Sequence, residues 1–317
     1  MFVTSKAYFV TMEQHVMPIE VLAQKDVLNN KVAHFFKSGS LLRKEENDRL
    51  DEIHKLLPDK GNYGTNLEYD IWYDFPDDPR IHGYVYTDVF TKFIFIKPAS
   101  FAHATRIMIE AAKVKVTAAG EMLFDSIVNK GTDKYRLRKT HIDYPYIIFL
   151  PGTNLINDIV DWDRVAREVK YEGAYLKTHP LTSAYSMADL RKRFGKRVID
   201  KKLSGHTMLK TAEIVGTFSN SEMGLLGLGQ GSEVRLFDKK GASPRTYTPI
   251  YTSIWKGDVH NVPEVDRLKR ILSCEFSGLI SYLIDNPQER IDNFFNFFKD
   301  IEHVKPKRPK TLNNRNK

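Results

Sequence analysis

The sequence predicts an α/β protein in two domains, with a cleft between them and a helical C-terminal segment that closes over it. Three observations carry this expectation. A chain of 317 residues suits two cores of about 150 residues each. Short apolar runs alternate with amphipathic stretches, and Gly, Pro, Asn or Ser punctuates most of the transitions. Such alternation is how parallel strands joined by helical crossovers read in a sequence, so each half is expected to be Rossmann-like. The expected division is an N-terminal domain over residues 1–140, a C-terminal domain with its closing helices over 141–303, and a basic tail over 304–317.

In the first half, strands are expected at residues 7–11, 93–96 and 114–117, with helices at 18–24, 40–58, after Pro98 and from Gly120 onward. The acidic, aromatic stretch 68–78 reads as a strand running into a loop. The polar, basic segment 129–143 reads as the linker. In the second half, strands are expected at 146–150, 174–177, 197–199, 213–218 and 233–237. A turn at 151–154 follows the first of these, and the helices between them are expected at 162–169, across Arg191–Arg193, at 206–212 and from Ser221. Two further helical patterns, 262–285 and 287–298, form the closure.

A hydrophobic content of 42% supplies real cores, yet nowhere is there the roughly 18-residue apolar run that a membrane span requires. The N-terminus lacks the basic start and cleavage site of a secretory signal, so a cytoplasmic protein is expected. One cysteine, Cys274, excludes an internal disulfide and any Cys-based metal cage, and no cation beside it would stabilise a thiolate. No metal or cofactor is expected. Asp161-Trp162-Asp163 imitates a metal-binding Asp-x-Asp, but at a helix start aspartates cap N–H groups.

The net charge is +8, and Lys305, Lys307, Arg308, Lys310, Arg315 and Lys317 in the tail supply six of those charges. A tail with two prolines and almost no apolar side chains cannot pack, so it is either a solubilising terminus or a handle for a polyanion. Double-stranded DNA is the expected partner. Arg191, Lys192 and Arg193 with Lys305, Lys307 and Arg308 are the candidate nucleic-acid contacts.

In an open parallel sheet, ligands collect in the loops beyond the carboxyl ends of the strands. Two loops stand out there. Lys177-Thr178-His179-Pro180 sets an ammonium, a hydroxyl and an imidazole at a strand end, which suits an anion and equally a structural cap. Ser219-Asn220-Ser221-Glu222 opens a helix with hydroxyl and amide groups, where free N–H groups hold a phosphate and Glu222 accepts from a ribose hydroxyl. Gly224, Gly227, Gly229 and Gly231 match no phosphate-loop motif and read better as close helix-on-sheet packing.

The order and strand context of these two loops resemble GT-B glycosyltransferases, particularly bacterial sialyltransferases and Kdo-type capsular enzymes, over residues 146–237. In those families a K-x-H-P loop and a later Ser-rich loop both contact the donor nucleotide. The resemblance implies that His179 meets the donor phosphate and that Ser219 and Ser221 meet its phosphate or ribose, with Lys177 and Glu222 beside them. The acidic motif that supplies the sialyltransferase base is not evident in the N-terminal half. Basicity, length and the cationic tail also resemble in style the bacteriophage enzymes that glycosylate hydroxymethylated cytosine. That likeness implies a UDP-sugar co-substrate, a flipped cytosine as acceptor and action in the host cytoplasm. Two other functions stay open, a capsule or lipopolysaccharide glycosyltransferase and a noncatalytic nucleic-acid-binding protein. An inverting transfer needs a group to take the acceptor proton, and the candidates are Glu13, His15 and Asp74, then Asp70 and Glu121.

Overall fold

A computed structural model of the chain describes residues 83–89, 93–98, 101–129, 137–180, 182–242, 249–256, 262–281 and 286–302. The expected elements at 7–11, 18–24, 40–58 and 68–78, and the basic tail, lie outside the described residues.

The chain is mixed α/β, and its centre is a five-stranded, wholly parallel sheet. β3 (Tyr146–Phe149) is followed by α3 (Thr153–Ile159) and α4 (Trp162–Arg167), which runs on through one π-type turn at Glu168–Glu172. β4 (Tyr175–Lys177), α5 (Ala184–Phe194), β5 (Val198–Ile199), α6 (Gly205–Leu209), β6 (Ile214–Thr217), α7 (Glu222–Gly229) and β7 (Glu233–Leu236) complete it. The strand order is β5-β4-β3-β6-β7. The chain therefore enters at the middle strand, walks outward through β4 and β5, then returns across β3 to lay down β6 and β7. All five strands sit within the stretches expected for them.

Period-two alternation divides the apolar side chains of β3 between two faces. Ile147 and Phe149 join Val215, Leu225 and Leu226 in one core cluster, whereas Tyr146, Ile148 and Leu150 join Leu176, Phe218 and Phe237 in the other. Burial on both faces is why β3 reads as an uninterrupted apolar run. The helices begin where the sequence offers a cap: Asp161 Oδ1 accepts from Arg164 N at 3.0 Å, Ser183 Oγ from Ser186 N at 3.1 Å and Ser221 Oγ from Met223 N at 3.2 Å. Asp161 thus caps a helix. A Cβ on Gly227 would stand 3.1 Å from Val215, and one on Gly229 would stand 2.5 Å from Val128, so these glycines serve close packing.

The rest departs from expectation. β1 (Gly83–Val89) and β2 (Phe93–Pro98) form an antiparallel hairpin, and β8 (Leu279–Ser281) adds to β2, also antiparallel. The described part of the segment expected to be a Rossmann-like N-terminal domain is thus this hairpin with α1 (Phe101–Ala111) and α2 (Ala118–Val128), without a parallel sheet. Residues 114–117 form no strand, because Thr117 is the N-cap of α2, its hydroxyl accepting from Gly120 N at 3.1 Å. The first closing helix is shorter than expected. α9 (Glu264–Ser273) stops at Cys274, Gly278 turns the chain at φ +79°, and Leu279 and Ile280 enter the antiparallel sheet. The orphan carbonyls at that helix end are covered by Arg290 of α10 (Pro287–Glu302), whose buried guanidinium donates to the carbonyls of Leu272, Cys274 and Leu279. α8 (Pro249–Lys256) was not anticipated, and neither was α3, where only a turn is expected. One apolar cluster runs from Phe93 and Phe95 through α1, α2 and α9 to Ile147 and Phe149, so the antiparallel sheet and one face of the parallel sheet share a core.

Candidate functional site

Register brings the strand ends level. Phe149 lies beside Lys177, Lys177 beside Ile199, and Ile148 beside Gly216, so Phe149, Lys177, Ile199 and Thr217 terminate one edge. The strand order reverses between β3 and β6, which is the switch point where open α/β sheets hold ligands. The Lys177–Pro180 and Ser219–Glu222 loops flank the β3 loop there. With strands about 4.8 Å apart they stand roughly 10 Å from each other. The two loops singled out in the sequence thus share one edge.

Their side chains divide into those buried within the edge and those half-buried at its surface. Lys177 is 3% exposed, and its Nζ donates to Thr178 O at 2.7 Å and Lys201 O at 3.4 Å. Thr178 Oγ1 donates to Ile199 O at 3.3 Å. Ser219 is fully buried; its N–H and Oγ donate to the carboxylate of Asp238, at 3.0 and 2.8 Å. Lys177 and Ser219 therefore hold the loops in shape. His179 and Glu222 are half-buried at the same edge, His179 accepting Thr182 N on its carbonyl at 2.9 Å.

Other polar atoms have nothing to bond. Thr217 Oγ1, Thr182 Oγ1, Asn220 Oδ1 and Trp255 Nε1 are buried without a hydrogen-bond partner among the described residues. Thr217 ends β6, Asn220 precedes the cap of α7, and Thr182 precedes the cap of α5. Trp255 belongs to the same place: a Cβ on Gly224, in the first turn of α7, would stand 2.5 Å from Thr217 Cγ2 and 2.8 Å from Trp255 Cζ2. Buried polar groups are nearly always paired, so a concentration of unpaired ones at a sheet's ligand edge points to a ligand. Gly205 forms part of the floor, since a Cβ there would stand 2.9 Å from Phe149 Cε1 and 3.0 Å from Met223 Cε.

Lys201, just beyond β5, is the half-buried cation of this edge. Its Nζ donates to Thr182 O at 2.6 Å, and burial, with a smaller contribution from Lys202, holds its ammonium below the usual lysine value against the pull of Asp200. Asn220 lies in the Ser-rich loop singled out from the sequence, whereas Lys201, Thr182, Thr217, Asp238 and Trp255 were not. Asp238 carried a signal, an acid immediately past a strand terminus. The others carried none, because their importance lies in hydrogen bonds they do not make.

No protein-family model matches the chain, and no curated protein matches it. Geometry alone thus has to carry the functional reading.

The remaining candidates fall elsewhere. Glu13, His15, Asp70, Asp74, Lys305, Lys307 and Arg308 lie outside the described residues. Glu121 is exposed at the start of α2, in an ion pair with Lys269 at 2.9 Å. Arg191, Lys192 and Arg193 occupy the last turn of α5, a helix that runs from the ligand edge back to the start of β5, so they sit at the opposite edge of the sheet. There they complement the negative helix end, and the Arg193 guanidinium lies 4.4 Å above the Trp162 ring. Cys274 is buried, and burial pushes its thiol up to about 12, which leaves almost no thiolate at neutral pH. Among the described residues no helix is long and apolar enough to cross a membrane, and no group of three His, Cys, Asp or Glu side chains is placed to hold a metal ion.

Proposed function

We propose that the chain is a glycosyltransferase of the GT-B type that binds a nucleotide sugar, UDP-linked, at the carboxyl edge of its parallel sheet. The observation that carries this reading is the set of buried, unpartnered Thr217, Asn220 and Trp255 polar atoms beside the N-terminus of α7, at the strand switch point. A polyhydroxylated, phosphorylated ligand would satisfy hydroxyl, amide and indole groups together, and its phosphate would lie at the positive end of α7. As the glycosidic bond breaks, negative charge grows on the departing diphosphate, and fixed donors at that position lower the barrier because they need no reorganisation. The acceptor proton passes in this proposal to Glu13, His15 or Asp74 of the N-terminal part of the chain. The acceptor is the 5-hydroxymethyl group of cytosine in phage DNA, with the basic tail tracking the phosphate backbone in the cytoplasm.

The first test is calorimetric titration of the full-length chain with UDP, CMP, UMP and their sugar conjugates, at Kd values of 1 mM or tighter on the order of ordinary co-substrate affinities. At least one is expected to bind, and to bind at least tenfold more weakly to Thr217→Val. Absence of binding by every nucleotide sinks the proposal. Nucleoside mass spectrometry after incubation with hydroxymethylated DNA and the nucleotide sugar that binds then decides the acceptor. An unmodified cytosine pool excludes DNA.

A further inference from the structure

The basic segment that reads in the sequence as a linker is, from residue 137 to 145, a strap laid against the parallel sheet. Just beyond the end of β5, Arg138 N donates to Lys202 O at 3.0 Å and Ser204 N donates to Arg138 O at 2.8 Å, a parallel bridge that ties Arg138 to Leu203. Further along, Thr140 N donates to Thr207 Oγ1 at 3.3 Å, and the Tyr144 ring meets the Tyr175 ring edge-on with centroids 5.1 Å apart. Pro145 O then accepts from Glu213 N and Ile214 N, both at 2.9 Å. Backbone bonds thus fix the path at both ends, and the side chains between them are presented at set positions without having to hold the strap.

Those side chains are basic and face solvent. Arg138, Lys139 and His141 are exposed, and so is Lys202, across the bridge from Arg138. Residues 137–143 and 200–210 together carry five cations against two acids, Asp143 and Asp200. Asp200 is committed to its own turn, where it accepts from Lys202 N at 2.9 Å. Its contact with Arg138 Nη2 is long, 3.4 Å, between side chains 40% and 68% exposed. An ion pair so exposed is worth little, so a phosphate oxygen can take Arg138 from it at small cost. Lys139 and Lys202 have no ion-pair partner among the described residues. The cations of the amino edge differ, because they are already engaged: Arg197 with Gly173 O and the Tyr175 ring, Arg235 with Glu168 and Glu233, Arg193 with Asp189 and the Trp162 ring.

β5 is the outermost strand on its side of the sheet, two strand spacings or roughly 10 Å from β3. Arg138 and Lys202 follow its carboxyl end, so they stand at the ligand edge, beside the switch point and not in it. We propose that the strap 138–141, with Lys202, is a docking surface for the phosphate backbone of double-stranded DNA, and that it holds the acceptor duplex alongside the donor edge. The role as acceptor rests on the glycosyltransferase reading, whereas the surface recognises backbone charge and needs no sugar. Contacts of this kind fix the position of a duplex without reading its sequence. An extruded nucleotide then has only the width of two strands to cross.

The test is fluorescence anisotropy of the full-length chain with a short unmodified DNA duplex across a series of salt concentrations. Arg138→Gln with Lys139→Gln and Lys202→Gln is expected to weaken binding at least tenfold. It should also flatten the dependence of log K on log salt by about 2–3, close to one per lost phosphate contact. Lys139→Gln with Lys202→Gln keeps the Arg138–Asp200 pair and should lose about two thirds of that slope. Arg191→Gln with Lys192→Gln and Arg193→Gln removes the same charge from the opposite edge and should leave DNA affinity within twofold and the slope unchanged. UDP affinity should stay within twofold in the strap variants. Equal weakening by the two triple variants would mean that DNA senses net charge alone, and would overturn the surface. So would failure of the wild type to bind the duplex, or flotation of the chain with phosphatidylserine vesicles in its place. Strap variants that bind the duplex like the wild type, while a nucleotide sugar still binds, overturn the surface and leave the glycosyltransferase reading standing. Selective loss of DNA in the strap variants while no nucleotide binds leaves the surface standing and removes that reading.

Discussion

At the amino edge of the five-stranded sheet, Tyr146 donates to Glu168 at 2.7 Å, Arg235 bridges Glu168 at 3.2 Å and Glu233 at 2.7 Å, and Arg197 donates to Gly173 O at 2.7 Å over the Tyr175 ring. At the carboxyl edge of the same strands, Thr182, Thr217, Asn220 and Trp255 carry buried polar atoms that bond to nothing described. The two edges are at most about 15 Å apart along four-residue strands. Both use hydroxyls, carboxylates and cations, so composition does not separate them. Closure does: one network is complete without a ligand, and the other is not. An edge that leaves polar groups unpaired gives up folding free energy that a ligand can restore, which is the usual exchange between stability and function.

The severest way to break this contrast is Gly224→Val. The new Cβ would overlap Thr217 Cγ2 at 2.5 Å and Trp255 Cζ2 at 2.8 Å, where Thr217 is fully buried and Trp255 packs against the core. Overpacking with a β-branched side chain should cost about 3 kcal/mol, read by urea denaturation, with a change in Trp255 emission. An unchanged midpoint would mean that Trp255 swings away freely and that the carboxyl edge is not a built site.

The two edges were not equally legible. Short apolar runs located all five strands, since burial on both faces leaves its mark in composition, and the capping residues Asp161 and Ser221 announced α4 and α7. Lys177 and Ser219 were found as residues of the ligand edge, yet which way a side chain turns depends on neighbours 19 to 24 residues away, Asp238 and Lys201. Local pattern cannot show that. The antiparallel sheet was missed because β2 pairs with β8, nearly two hundred residues later, and a three-residue strand such as Leu279–Ser281 has no periodicity to detect.

A matched pair of hydroxyl deletions sharpens the comparison. Tyr146→Phe should destabilise the fold by about 1–2 kcal/mol, because it removes one partner and leaves the half-buried Glu168 carboxylate with a lost bond. Thr217→Val should do the reverse and stabilise by up to about 1 kcal/mol, because an unpaired buried hydroxyl becomes a methyl of the same shape. Opposite signs from the same chemical change would separate a closed network from an open one, and equal signs would erase the distinction. pH adds a second reading. Burial first, then Glu168, raises the Tyr146 phenol well above its ordinary 10.0, with Arg235 opposing. The folded state therefore holds that proton more tightly than the unfolded chain, so its contribution is whole below pH 10 and is lost as pH rises beyond. The alkaline fall in melting temperature should be shallower in Tyr146→Phe, and an identical slope would remove Tyr146 from the account.

The smallest effect is expected from neutralising the basic turn, Arg191→Gln with Lys192→Gln and Arg193→Gln. Its three cations sit at the amino edge, with the length of the strands between them and the Lys177–Pro180 and Ser219–Glu222 loops. Stability should fall by no more than about 1 kcal/mol, mainly through loss of the Arg193 stack on Trp162. UDP affinity should change less than twofold, since a screened charge beyond a Debye length of roughly 8 Å has little reach. DNA retention on a salt gradient is the discriminating measurement. If the basic tail alone tracks DNA, the triple variant elutes with the wild type. Earlier elution with UDP affinity unchanged would assign the amino edge to DNA, and a flipped base would then have to span the sheet to meet the donor, which one nucleotide cannot do. That result would separate DNA binding from sugar transfer and favour an acceptor other than cytosine.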